Sequence, residues 1–468
     1  MQQIFSRIVT SAALALTLVG TAAAETFKLP AYESYVLPNG LKVYLMPQKE
    51  VPLLHVTVGI QSGSANDGAQ YGLASFTGDA LDLGTKNYSK DKLEDLFDFH
   101  GAYFGAGIDQ DFTTVQLSLA AKDAARLLPV FSEIVIVPTF PDKEVVKLRE
   151  RTVSELKKAK ESPNQVADQF FNRLVFEKHP YGSPLEGTPL SIGKLNRNDL
   201  QKFHAKAYRP QYAAISVVGD FDAAVMKKLL ADTFGSWSKG QETAAPTAVT
   251  ALDAKAPLGR VLLVDKSDAH ETTFRIGGLA VKRDSQDWIG LQVVNTILGG
   301  RFTSLLNEEL RVKTGLTYGA RSRFEGLKSS GTFAISSFTA TENTEKALEL
   351  ALKTYTGFVK SGVDAATLDS AKAYVKGQFP PRYETAAALS GLLVEMWVYG
   401  LSDAIINNFE AEVNGLTIAR ANELIKKHFP TDKLDILLIG QASKIQDIAK
   451  KYGTVIKTDI VSAQEGRL

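Results

Sequence analysis

One order of elements occurs twice in this sequence. Leu53 to Ile60 has strand character and leads into an amphipathic stretch that reaches Leu83; Glu271 to Leu279, then Asp287 to Leu298, repeat that order about 218 residues later. Identity between the two passages is weak, but their order agrees. Between them, Ser236 to Pro257 becomes small, polar and aperiodic, as a linker does. Duplication of an α+β domain is the simplest reading, each copy pairing a mostly antiparallel sheet with helices packed on one face. The expected division is an N-terminal domain over 25–240, a linker over 241–257 and a C-terminal domain over 258–468.

The first 24 residues stand apart. A short basic start ending at Arg7, an apolar run from Ile8 to Gly20 and Ala22-Ala23-Ala24 read as a secretory signal peptide cleaved near Ala24/Glu25. A membrane anchor is the other reading of that run, and no later stretch is long and apolar enough to span a bilayer. Export, with a periplasmic destination, is expected. The chain has no cysteine, so the exported form has no disulfides, and about 440 remaining residues suffice for two or more apolar cores. Lys+Arg number 53 and Asp+Glu 52, a balance that argues against nucleic acid or an acidic membrane surface as the main partner.

Several elements can be placed from pattern alone. Asn39-Gly40 lies between apolar alternations in Tyr35 to Leu45, a strong hairpin signal. Asp91 to His100 is amphipathic and should stop at Gly101. Ala102 to Ile108 and Phe112 to Leu119 read as strands. A helix opening at Phe140-Pro141, with proline near its first position, carries Val145, Leu148, Thr152 and Leu156 on its inward stripe, with Glu155 on or beside it. In the second half a helix should end near Gly315, placing Arg311 in its last turn and Tyr318 in the following strand; Asp435 to Gly440 is a last buried strand.

The stretch from Tyr71 to Thr85 bears on chemistry. Read as a helix, Leu73, Phe76, Ala80 and Leu83 form an apolar stripe, and Ser75, Asp79 and Asp82 share a neighbouring face. It resembles the Gly-Leu-Ala-His-Phe-x-Glu-His-x-x-x-x-Gly-Thr segment of pitrilysin/insulinase-type zinc peptidases, whose inverted His-x-x-Glu-His motif supplies two zinc ligands and the catalytic base. Ser75 stands where the first His belongs, Gly78 where the Glu base belongs and Asp79 where the second His belongs. A serine hydroxyl is a poor ligand and glycine cannot take a proton, so no zinc is expected to bind to this chain. The six histidines, His55, His100, His179, His204, His270 and His428, show no metal-ligand spacing.

The resemblance covers Tyr35 to Tyr452 and implies two domains that face each other as a clam shell. It places Glu155 at the family's third zinc ligand; the plainer reading is a border carboxylate paired with a neighbouring Lys or Arg. Leu306 to Arg311 and Gly315-Leu-Thr-Tyr318 are similar to the family's Leu-Arg and Gly-Leu-x-Tyr segments. There, the arginine and tyrosine hold and polarise the substrate carbonyl, a role suited to a guanidinium and a phenol. Alternatively, Arg311 complements a helix C-terminus and Tyr318 is an ordinary strand residue. Loss of the zinc motif with retention of Arg311 and Tyr318 implies the non-zinc subunit of a heterodimer. Its homologous partner, carrying intact His-x-x-Glu-His, would hold the zinc, and unfolded peptide would be the substrate. A catalytically inactive scaffold or peptide-binding module of the same fold is the alternative.

Overall fold

In a computed structural model that describes residues 27–240, 259–430 and 434–466, the chain turns back at Asn39-Gly40, where Gly40 adopts φ +92°. The turn joins β1 (Glu33–Val36) antiparallel to β2 (Lys42–Pro47). With β3 (Leu53–Ile60), β4 (Tyr103–Ile108), β5 (Thr113–Ala120) and β6 (Ala213–Gly219), these strands form a six-stranded sheet of order β1-β2-β6-β3-β5-β4, parallel only between β2 and β6. The second sheet comprises β7 (Arg260–Asp265), β8 (Glu271–Ala280), β9 (Arg321–Gly326), β10 (Gly331–Ala340), β11 (Asp435–Gly440) and β12 (Thr454–Asp459). Its order is β12-β7-β11-β8-β10-β9, with β7 parallel to both β11 and β12. Five strands of each sheet follow the same path, so the repeat read from sequence is a repeat of topology. The expected signal peptide and linker lie outside the described residues.

Six helices position the rest: α1 (Leu73–Asp79), α2 (Asp142–Ala159), α3 (Pro163–Phe176), α4 (Trp288–Asn295), α5 (Ala365–Gln378) and α6 (Ala386–Tyr399). Each sheet packs the helices of its own half on one face, with Val56, Val58, Val115 and Leu117 in the first core and Phe274, Ile276, Phe333 and Ile335 in the second. Pro141 occupies the N-cap of α2 just before its first turn, and Glu155 lies beside the buried stripe with its side chain exposed.

The opposite faces are covered reciprocally. Helix α3, from the first half, lays Val166, Phe170, Phe171 and Leu174 on Leu262, Val264, Leu437 and Ile439 of the second sheet. Helix α6, from the second half, lays Leu389 and Leu393 on Met46 and Val218 of the first. Full burial of one such side chain contributes about 1.5–3 kcal/mol. Buried polar contacts set the register of both. Ser390 Oγ meets Ser216 Oγ at 2.6 Å and Thr57 Oγ1 at 2.8 Å, with all three side chains fully buried. Arg275 donates to Asp168 at 2.7 Å, while Arg260 bridges the buried Asp435 and the Leu174 carbonyl. A buried polar group left unpaired costs about 1–3 kcal/mol, so these contacts penalise any sliding of the helices.

β3 and α6 approach so closely at Gly59 that a Cβ there would sit 2.3 Å from Val394 Cγ1, on a fully buried side chain. Gly59→Ala is expected to destabilise the protein by about 1–3 kcal/mol in urea denaturation, and Val394→Ala in the same chain should recover part of that loss.

Candidate functional site

Helix α1 is built where two loops cross. Gly72 (φ +82°) and Gly187 (φ +80°) pass with so little space that a Cβ on Gly72 would lie 2.6 Å from the Gly187 backbone. Gly72 has no side chain to cap the helix, and Asp67 does so from the preceding loop, accepting from Gly72 N at 2.7 Å and Ala74 N at 2.8 Å. The helix then breaks at Ala80 into a 3₁₀ turn over Leu81–Leu83, shorter than the continuous helix that periodicity suggested. The crossing brings Glu186 beside α1.

α1, α2 and the edge strand β4 enclose a cleft of about 700 Å³. Ser75, Gly78, Asp79 and Glu155, scattered over two helices, all line it. Asp82, Glu94 and Glu186 add three carboxylates, against the cations Lys90 and Arg151. Asp79 opens onto the cleft, yet the surrounding walls remove part of its hydration. That burial, with the Glu186 charge and lesser contributions from Asp82 and Glu155, pushes its carboxyl up to about 6, Arg151 opposing. Glu155 lies 3.9 Å from Arg151 one helical turn away, the pairing expected of a border carboxylate.

These residues do not fit a catalytic zinc. Ser75 offers a neutral hydroxyl, and Asp79 and Glu155 are two carboxylates where two imidazoles and a carboxylate are needed. A Cβ on Gly78 would lie 2.9 Å from Ile108 Cδ1, so an isoleucine occupies the space into which a base would project. Among the described residues no group of three His, Cys, Asp or Glu side chains is placed to hold a metal ion. The histidines serve elsewhere: His204 Nε2–H donates to the Val135 carbonyl, His428 contacts Asp287, and His55 contacts Ser118.

Arg311 lies on a π-helical turn, Glu308–Lys313, whose end is closed by Gly315 N donating to Arg311 O at 3.0 Å. Tyr318 is not in a strand. It sits in the loop before β9, because Thr317 and the Leu316 carbonyl are held to β10 by Ser337 and Thr339. That anchoring leaves the Tyr318 side chain outside, with the residue 80% exposed and its ring centroid 6.4 Å from that of Phe338. The Arg311 guanidinium lies 4.8 Å over the Phe302 ring. Neither residue lines the Asp79 cleft. Asp67, Asp82, Arg151 and Glu186 were not singled out as site residues from sequence; a carboxylate shortly before Gly72 is the one local signal that marks Asp67.

The sequence matches the profile of the insulinase-type M16 peptidases over residues 43–189 and that of the M16 inactive domain over 194–375. It is 23% identical over 404 residues to the uncharacterized zinc protease YmxG of Bacillus subtilis (strain 168), covering 85% of this chain and 96% of that protein. It is 22% identical to the non-peptidase homolog YmxG of Helicobacter pylori, covering 82% and 87% respectively. Among solved structures, an M16 inactive domain from Pseudomonas fluorescens superposes with a TM-score of 0.80 at 26% identity, covering 88% of this chain and 98% of that one.

A carboxyl whose pKa is raised by folding, and whose ionisation is thereby opposed, stabilises the protein fully below its unfolded value, about 3.9, and loses that contribution as pH rises through about 6. Asp79→Asn is therefore expected to raise the melting temperature at pH 7.5 and to leave it unchanged near pH 4. Equal gains at both pH values in thermal melts would refute this account of Asp79.

Proposed function

Because the chain belongs to the M16 peptidase family, with an inactive-type second half and no group of zinc ligands among the described residues, we propose that it is the non-zinc subunit of a periplasmic heterodimeric zinc metallopeptidase. Its partner would be a homologous chain with intact His-x-x-Glu-His, which supplies zinc, ligands and base. Unfolded peptide is the substrate.

The observation that carries this reading is the setting of Arg311 and Tyr318. Phe302, under the Arg311 guanidinium, is 62% exposed, Leu305 38%, Val312 56% and Tyr318 80%, so large apolar surface is left open along the segment 302–318 that carries both residues. Surface of that kind marks a contact with another macromolecule. At such a contact Tyr318 can donate its phenolic hydrogen to the oxyanion that forms on a peptide carbonyl, and Arg311 adds positive charge and further donors. Peptide binding has its own support. β4 is the last strand of its sheet, and residues 104–108 line the cleft, so its outer amides and carbonyls are available to an extended chain.

A second reading is a catalytically inactive peptide-binding module, which the non-peptidase name of the Helicobacter pylori relative favours. Peptidase assays on an unstructured peptide with added zinc, using this chain, the intact-motif homologue and the two together, separate the readings. Activity of the mixture above the homologue alone is expected; no gain on mixing favours the module. In the active mixture, Tyr318→Phe and Arg311→Ala should each lower kcat by about 10²–10³-fold, as loss of an oxyanion donor does, with zinc content unchanged. Full turnover in both variants would remove these residues from the site.

A further inference from the structure

The duplicated topology sets a second cavity opposite the first, and its charge is reversed. In the first half, α1, β4 and α2 surround the cleft whose five carboxylates outnumber Lys90 and Arg151. In the second half, the equivalent elements α4, β9 and α5, with α3 alongside, surround a cavity of about 420 Å³. Its charged lining is Arg275, Arg321, Arg323 and Arg382 against Asp168 and Glu325. Arg275 is held by Asp168 at 2.7 Å with its side chain only 7% exposed, and Arg323 by Glu325 at 3.1 Å. Arg321 and Arg382 have no ion-pair partner among the described residues and leave the cavity with uncompensated positive charge. Asn295 and Ser322 add polar surface to its wall.

A third cavity, about 580 Å³, lies between these two. It shares Gly107 and Ile108 with the acidic cleft and Arg323 and Glu325 with the arginine cavity. Phe112, Trp288 and Tyr399 supply aromatic wall, with Asp109, Arg283 and Glu395 between them. The three adjoin in series, from acidic through aromatic to basic. Guanidinium groups bind carboxylates through paired N–H donors, and aromatic surface accepts apolar side chains with little sequence demand.

We propose that the Arg321/Arg382 cavity is a carboxylate-binding subsite, which orients a bound peptide with its anionic end there and its cationic end at the Asp79 cleft. This rests on the peptide-binding reading above and adds a direction and a substrate class to it. The preferred ligand is an extended peptide carrying basic residues toward its N-terminus and a free C-terminal carboxylate or acidic residues at the other end. An opposed charge pattern would place like charges together at both ends, which costs binding energy in partly enclosed sites.

The test uses the mature chain and two peptides of the same composition, labelled on a central side chain and followed by fluorescence anisotropy at low salt. One has lysines near its N-terminus and aspartates near its C-terminus; the other has them exchanged. The first is expected to bind about tenfold more tightly, a preference that added salt reduces. Arg321→Glu with Arg382→Glu should abolish or invert the preference, and because both arginines are exposed the melting temperature should be preserved. Arg321→Gln with Arg382→Gln should give an intermediate loss. Amidating the C-terminus of the first peptide separates the two carboxylate sources: weaker binding assigns the terminal carboxylate, unchanged binding the aspartates. Equal affinities, or preference for the second peptide, overturn the polarity while leaving peptide binding intact. Binding of neither peptide overturns both.

Discussion

The architecture depends on a reciprocal exchange of helices. Each sheet has a face that its own half leaves bare, and each half carries a helix with apolar side chains that cover the other's: Leu392 and Met396 of α6 stay in the second core while its neighbours cross to the first sheet. Leu389 and Leu393 complete the first sheet, and Phe170, Phe171 and Leu174 complete the second. Because β6 is buried along its whole length, its apolar run has no solvent face on which alternation could appear. The polar contacts at Ser216, Ser390 and Thr57, and at Arg260, Arg275 and Asp435, sit within these interfaces. They tolerate one register and penalise others, since each would leave a buried hydroxyl or charge without its partner. The edge strands β4 and β9 are held relative to one another by the same exchange, and the cavities beside them take their spacing from it.

The first-half cleft keeps the geometry of a family site whose chemistry has changed. Ser75, Gly78, Asp79 and Glu155 converge, yet Ile108 fills the space in front of Gly78, and burial, with the Glu186 charge beside it, raises the Asp79 carboxyl. A cleft in which five carboxylates outnumber two cations suits cationic groups of a ligand. Packing, capping by Asp67 and the Gly72/Gly187 crossing preserve the shape without any need for the ligands.

Much of the fold was legible in the sequence. Leu53–Ile60 and Asp435–Gly440 have the bounds that their apolar runs suggested, and Gly101 (φ +58°) ends its helix as read. The duplication was legible from element order, and the scattered motif positions do converge on one cleft. What was not legible depends on distant partners. Apolar residues on Ala386–Tyr399 announce burial but not which sheet they cover. Tyr318 has strand character, and only the anchoring of its neighbours to Ser337 and Thr339 keeps it in a loop. Asp67 caps a helix it does not belong to. Arg321 and Arg382 are far apart in sequence, and their shared cavity follows from the way α5 and the segment after it return to the β9 edge.

The helix exchange also bears on what a break in the chain would do. A cut between residues 240 and 259 would separate two fragments, each with an uncovered sheet face and an unpaired apolar helix. Each keeps the residues of its own main core but would expose the apolar surface that the other half covers, and so would present the complement of the other's exposed surface. Their stability would then become a matter of concentration, governed by association like that of an obligate dimer. The covalent connection matters less for which contacts form than for keeping both parties to them in equal number and within reach.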